Sequence, residues 1–219
     1  MSTSRHDPFA VLDWDAVLDH YNNRVAVHQE IVKLHRSADA KEFALLALGI
    51  SDRDGNYSAA QWAVGPKILA SNANAAERVH QLAGQLLATS TPLDVPGLIR
   101  ASGLTFLGIS IGSEISCMMK PDVHWIANAR TIWTHLLVKH DDNIDTANEA
   151  LSLYRTDDSG EMSYKIWRAI HGELDTALTR IAKRADNLAH SAGVKPGKLK
   201  YLWADAIADS MYAEYRAAG

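Results

Sequence analysis

One string in the 219-residue chain has the spacing of a catalytic nucleophile: Gly108-Ile109-Ser110-Ile111-Gly112, a G-x-S-x-G. That chemistry needs a sharp strand-to-helix turn that lifts the serine hydroxyl clear, with glycines where side chains would clash. Leu104 to Leu107 would be the strand, His190 the base, and Asp157, Asp158 or Asp175 the acid. Such an elbow stands on a central parallel sheet, and the sequence offers no further strands to build one. The sequence favours the competing reading of these five residues, a contact between helices that glycine permits.

Metal chemistry has one foothold, the E-x-x-H of Glu77 and His80. A carboxylate-bridged di-metal bundle needs two such elements and two more inward glutamates. There is no H-E-x-x-H and no C-x-x-C pair for zinc. Asp52, Asp54 and Gly55 imitate the middle of a calcium loop, but Ile50 and Gln61 stand where its first and twelfth ligands belong. The segment 51–57 therefore reads as a turn. The sequence implies no metal site and no cofactor.

Binding chemistry has a better candidate. If the chain is helical after Asp122, then His124, Asn128, Thr131 and His135 recur at four, three and four and share one polar stripe, with Arg130 at its edge. Trp125, Ile126, Trp133, Leu136 and Leu137 take the apolar side. His124 and His135 stand roughly 16 Å apart along such a helix, too far to chelate one ion together. A second stripe, Tyr164, Trp167 and His171, repeats the mixture of aromatic ring and imidazole. These eight residues are the candidate ligand-binding set. Cys117, the one cysteine, sits among apolar neighbours with no base beside it and reads as an inert buried thiol.

The region around Gly108 also admits a helix-hairpin-helix reading. Leu98 to Ser102 would be the first helix, the glycines the hairpin, and Ser113 to Met119 the second helix. The order of parts is loosely similar to that of the helical DNA glycosylases. The resemblance spans about forty residues. It implies a DNA-interacting domain with Lys195, Lys198 and Lys200 on the phosphate-facing surface. The chain departs from that pattern in having no compact L-P-G-x-G hairpin and no lysine within it. Asn128 stands where a catalytic aspartate would, which implies a non-catalytic relative.

The elements that must position these residues read as helices almost throughout. Val17, Leu18, Tyr21, Val25, His28, Val32 and His35 mark a long N-terminal helix behind Asp13 or Asp15. Further helices are expected over 38–48, 58–70 with a break near Gly65-Pro66, 75–88, and 94–101. A stripe of Leu104, Leu107, Ile111, Ile115 and Met118 is flanked by the small residues Gly108, Gly112 and Ser116. Pro121 ends that helix, and Asp122 is expected to cap one over 123–139. Asp145 caps the next, and Asp158 with Glu161 opens a long helix toward His190. The last runs from Leu199 past Met211. The expected fold is all-α, a compact single domain over 1–219 of about eight or nine helices with little or no sheet. Residues 1–7 are expected to be flexible and 8–36 to form an N-terminal helical arm. Leu107, Ile111, Ile115, Ile126, Trp133 and Leu136 are the expected core.

Composition bounds the function. An apolar fraction of 47% with 22% charged residues is that of a globular protein with a substantial core. The net charge of −4 disfavours a generic nucleic-acid binder. The charge is uneven: seven acids and one base lie between Asp141 and Glu161, six bases and one acid between Arg180 and Lys200. The segment 104–119 is too short to span a bilayer and contains Glu114. With a polar start and a lone cysteine, the expected location is the cytoplasm, away from membranes. The leading expectation is a domain that binds a small molecule or a protein partner. A DNA-interacting domain comes second, and a serine hydrolase using Ser110 third.

Overall fold

The computed structural model describes residues 9–10, 12–152, 154 and 161–217. The first seven residues, expected to be flexible, lie outside this set, as do Asp157 and Asp158. Among the described residues there are eleven α-helices, two short 3₁₀ turns and no strand. The all-α expectation holds, with two or three more helices than anticipated.

In chain order the helices are α1 (Trp14–Arg36), α2 (Ala40–Ala47), α3 (Tyr57–Gln61), α4 (Val64–Ser71), α5 (Ala75–Ala88), α6 (Val95–Ala101) and α7 (Ile109–Met119). They continue with α8 (Ala129–Lys139), α9 (Ile144–Ser152), α10 (Glu161–Ser191) and α11 (Lys200–Ala217). The 3₁₀ turns, Arg53–Gly55 and Pro92–Asp94, precede α3 and α6. The break expected near Gly65-Pro66 falls between α3 and α4, where Ala63 takes a left-handed conformation at φ 48°.

α1 is held at its start by Asp13, whose carboxylate accepts from the amides of Asp15 at 3.0 Å and Ala16 at 3.2 Å. Its last turn carries Lys33, His35 and Arg36, which suit the negative end of the helix dipole. It is no projecting arm: it lies along α11, α2 and α7. Its buried face is Val17, His20, Arg24, Val27 and Ile31. That face is rotated from the expected one and admits two basic residues to the interior.

α7 is the axis of the fold. Ten of its eleven residues are buried, Glu114 among them; only Ser110 is partly exposed. A helix buried on every side must be surrounded, and α1, α3, α5 and α6 pack on it. The helix starts at Ile109, so Leu104 and Leu107 belong to the preceding loop and Gly108 is its N-cap. Leu107, Ile111, Ile115, Ile126, Trp133 and Leu136 are all buried, as expected.

The segment after Pro121 differs from expectation. It runs as turn and extended chain to Asn128, and α8 begins only at Ala129. Asn128 explains the late start: its carboxamide accepts from the amides of Arg130 and Thr131, while Thr131 Oγ1 accepts from the Asn128 amide. This reciprocal cap satisfies the first amides of α8 and fixes its origin. α8 then packs on α9, α10 and α11. Asn143, rather than Asp145, caps α9 through the amide of Thr146 at 3.0 Å.

Gly112 has a packing reason. A Cβ there would stand 2.5 Å from Ile99 Cγ1 and 2.6 Å from Ile99 Cδ1 on α6, and Ile99 is itself buried. Around a Cβ at Gly108 there is open space within 4 Å. The close approach of α6 to α7 therefore depends on Gly112. Gly112→Leu should lower the melting temperature by several degrees or prevent folding, because overpacking a well-filled site costs about 1–3 kcal/mol or more. Gly108→Ala should melt like wild type. Equal melting temperatures for Gly112→Leu and wild type would remove the close-packing explanation.

Candidate functional site

Two polar assemblies lie inside this helical frame, an ionic network and a pair of neutral histidines. The first is an ionic network joining α1, α3, α7, α8 and α11. Arg24 is wholly buried. Its Nη1 donates to the Asp54 carbonyl at 2.6 Å and its Nη2 to Glu114 Oε2 at 3.4 Å, while Nε lies 3.6 Å from Asp205 Oδ2. Glu114, equally buried, also accepts from the Tyr57 and Ser58 amides at 2.8 and 3.1 Å. The Ser58 hydroxyl at 2.5 Å and the Asn128 carboxamide at 3.1 Å complete its shell.

His20 stands between two carboxylates. Its Nε2 is 3.2 Å from Asp205 Oδ2 and its Nδ1 3.2 Å from Asp209 Oδ2. Two acceptors for two ring nitrogens fit the imidazolium, which alone carries two donors. Burial opposes the charge on His20, but the hydrogen bonds to Asp205 and Asp209 outweigh it and raise its pKa to about 9. Burial likewise pushes Asp205 up, and the bond to His20 and the charge of Arg24 bring it below the usual carboxylate value. Arg130 completes the set at 2.9 Å from Asp209 Oδ1. Three cations thus face three carboxylates. Tyr57 closes the outer side: the His20 ring stacks on it at 5.1 Å, and the guanidinium of Arg130 lies 4.5 Å from its ring centre.

Ser110, the serine of the G-x-S-x-G string, touches the edge of this network. It is the second residue of α7 and donates to Ser58 Oγ at 2.7 Å, which in turn donates to Glu114. Among the described residues no strand leads into it, so the strand-to-helix turn of a nucleophile elbow is not formed here.

The second assembly is built on His124 and His171. His124 lies in the turn between α7 and α8, and its Nδ1 is hydrogen-bonded to Ser116 Oγ at 2.6 Å. His171 lies on α10 and stacks on Trp125 at 5.1 Å, and the Trp125 indole N–H donates to the His171 carbonyl at 2.9 Å. Both histidines are 1% exposed. Burial, then the charge of Lys120, lowers His124 to about 4; burial, then the proximity of His124, lowers His171 to about 4. Both are neutral at pH 7. His124 Nε2 and both ring nitrogens of His171 are buried without a hydrogen-bond partner among the described residues. Leaving a buried polar group unpaired costs about 1–3 kcal/mol, so three at one place call for an explanation.

A groove of about 490 Å³ opens beside this pair, between the end of α5, the Pro92–Asp94 turn, α6 and α10. Gln85, Thr89, Leu93, Asp94, Leu98 and Arg168 are on its walls. Neither histidine is itself on the walls. The Thr89 backbone borders His124, and Leu93 Cδ2 lies 3.7 Å from where a Cβ of Gly172, the residue after His171, would stand. Lys120 ties down the end of α5, donating to the Leu87 and Thr89 carbonyls at 3.3 and 3.0 Å.

The eight residues expected to bind ligand are thus divided. His124 and His171 come together with Trp125. Asn128 and Arg130 belong to the ionic network. Thr131 is spent on the cap of α8 and donates to the Ile126 carbonyl at 2.8 Å. His135 faces Glu173 of α10 at 3.3 Å. Tyr164 lies under the Arg100 guanidinium, 4.3 Å from its ring centre, and Trp167 packs on the core. The single stripe required a helix from Val123, which the cap at Asn128 prevents. Lys200 is paired with Asp175 at 3.2 Å, and Lys195 and Lys198 are exposed. His80 of the E-x-x-H stacks on His35 at 4.4 Å and bonds the His35 carbonyl. Among the described residues no three histidines, cysteines or acids come together to hold a metal ion. The sequence reading missed His20, Arg24, Glu114 and Asp205. One signal was available: a glutamate in an otherwise apolar run must find a cation inside.

Compared with known protein families, with curated proteins and with solved structures, the chain matches none.

Arg24→Met should cost about 3–5 kcal/mol in denaturant unfolding, because it strands two buried carboxylates. An isostable variant would show that the network contributes nothing. The pH dependence has two limbs. His20, raised to about 9, stabilises the fold fully below its ordinary value of 6.5 and loses that contribution as pH rises through 9. His124 and His171, lowered to about 4, favour the fold above 6.5 and withdraw that preference as pH falls from 6.5 toward 4. Melting temperature should therefore peak near pH 6.5. His20→Gln should flatten the alkaline limb and His171→Phe the acid limb. Unchanged limbs in these variants would refute the assignments.

Proposed function

We propose that this protein binds a small molecule in the groove between α5, α6 and α10, beside the buried pair His124 and His171. The observation that supports the reading is the set of three unpartnered ring nitrogens on two buried, neutral imidazoles beside the groove. A neutral imidazole offers one donor and one acceptor, which suits directional recognition of a polar ligand without a net charge. The volume falls in the range of small-molecule sites. A purely structural pair would be expected to satisfy its nitrogens.

Among the described residues no helix is long and apolar enough to cross a membrane. A cytoplasmic location belongs to the same proposal and accords with Cys117 as a free, buried thiol. Nucleic-acid binding through Lys195, Lys198 and Lys200 gains nothing from the geometry, since Lys200 is already engaged with Asp175 and the Tyr201 hydroxyl.

The test is a titration of the protein with mixtures of amino acids, carboxylic acids, sugars and nucleosides. The readouts are the histidine ring signals in carbon- and nitrogen-edited NMR and the emission of Trp125, which stacks on His171. At least one mixture should shift the His124 and His171 rings, and His171→Phe should abolish the response. If no mixture moves either ring and His171→Phe is more stable than wild type, the pair is core and the proposal falls.

A further inference from the structure

We propose that the stacked rings of His35 and His80 form a proton-operated latch between the end of α1 and α5, closed while the pair carries at most one extra proton and open when both rings are charged.

The geometry is that of one closed contact. His35 stands in the last turn of α1 and His80 in the second turn of α5. Their ring centres are 4.4 Å apart, with 16° between the planes. Phe43 of α2, wholly buried, meets both rings steeply, at 5.6 Å and 67° from His35 and at 5.3 Å and 83° from His80. One turn further along α5, His35 Nε2 lies 3.5 Å from where a Cβ of Gly84 would stand. His80 Nε2 donates to the His35 carbonyl at 3.1 Å, so that nitrogen carries the hydrogen of the neutral ring. Both rings are partly exposed and within reach of protons from solvent.

The surroundings set how much charge the pair can hold. α2 presents Phe43 to His35, and α5 presents His80 and Gly84. The one charge that acts on His35 is that of His80. Lys33 and Arg36, in the same turn of α1, are cationic as well. Glu77, three positions before His80 on α5, is exposed and forms no ion pair with it. Among the described residues the histidines paired with carboxylates are His20 and His135, far along the chain from this contact or on other faces of it.

The first charge is accommodated, because the carbonyl end of α1 is the negative end of its dipole. The second puts like charges 4.4 Å apart, well inside the roughly 8 Å over which physiological salt screens them. His35 is bounded by His80, Phe43 and Gly84, so its ring gains distance by leaving α5. Burial, then the charge of His80, already holds His35 below its ordinary value of 6.5. A histidine lowered on folding favours the closed form above that value and withdraws the preference as pH falls below it. Opening therefore belongs to acidic pH. It uncovers Phe43, a core residue of α2, the helix that packs on both α1 and α5.

The test is amide hydrogen exchange of the full chain at pH 7 and pH 5, corrected for the intrinsic pH dependence of exchange. α7 serves as the internal reference for global opening. In wild type the amides of α2 and of the last turn of α1 should lose protection by about tenfold at pH 5 relative to those of α7. His80→Gln keeps a donor for the His35 carbonyl without the charge, and His35→Phe keeps a ring beside Phe43 without it. In both variants the ratio should be the same at the two pH values. In His80→Gln the His35 ring signal should also titrate at higher pH than in wild type. Equal relative protection of α2 at pH 5 and pH 7 in wild type overturns the proposal. So does an undiminished acid loss in either variant, which would place the sensor elsewhere.

Discussion

The Arg24 guanidinium, held between Glu114 and Asp205, is the interaction on which the arrangement of helices depends. Each partner comes from a different part of the chain: Arg24 from α1, Glu114 from α7, Asp205 from α11. An ion pair with no exposure gains little net stability over a well-packed apolar substitute, because desolvation offsets the attraction. Its effect is on specificity. Glu114 can be buried only where a cation and four further donors reach it, and that condition fixes the register of α1 and the loop before α3 against α7 at one position. The His20 imidazolium extends the same condition to α11. The network closes on itself, with three cations against three carboxylates, so it presents no net charge to a ligand.

The contrast between the Glu114 carboxylate and the histidine pair carries the functional argument. In the network the five donors around Glu114 leave little for a ligand to supply. The histidine pair is the reverse: two rings are brought into the apolar interior, Trp125 is stacked on one of them, and three nitrogens are left without partners. The lowered pKa of each ring follows directly, since burial without a carboxylate removes the reason to hold a proton. His20 shows what a neighbouring carboxylate does in the same protein, holding the proton up to about pH 9.

Periodicity made the fold class legible, and it made the core of α7 and α8 legible through Ile111, Ile115, Trp133 and Leu136. It misplaced the face of α1 because His20 and Arg24 read as solvent-facing by type, although they share a stripe with Val17, Val27 and Ile31. Only the tertiary partners show that these charges turn inward. It also ran the helix before His135 too far back. The spacing of His124, Asn128, Thr131 and His135 is helical, but Asn128 is a better cap than a helix interior residue, since its carboxamide competes for the first backbone amides. A local hydrogen bond thus outweighed a four-residue pattern. The meeting of His124 with His171, 47 positions later in the chain, had no local signal at all.

The late start of α8 is itself part of how the groove side of the molecule is made. Had the helix begun at Val123, His124 would have projected from a regular helix four residues before Asn128, and Trp125 would have turned away by about 100°. The extended run to Asn128 instead lets neighbouring residues serve different parts of the structure. His124 reaches back to Ser116 of α7, Trp125 lies across α10 with its indole N–H on the His171 carbonyl, and Asn128 turns to Glu114. The turn between α7 and α8 therefore contributes to both assemblies within five residues. Its far end is anchored by a carboxylate that Arg24 keeps in place, and its near end carries a histidine with a nitrogen to spare. Rigid support behind an unsatisfied group is the condition for directional binding, because a loose imidazole would turn to find a partner of its own.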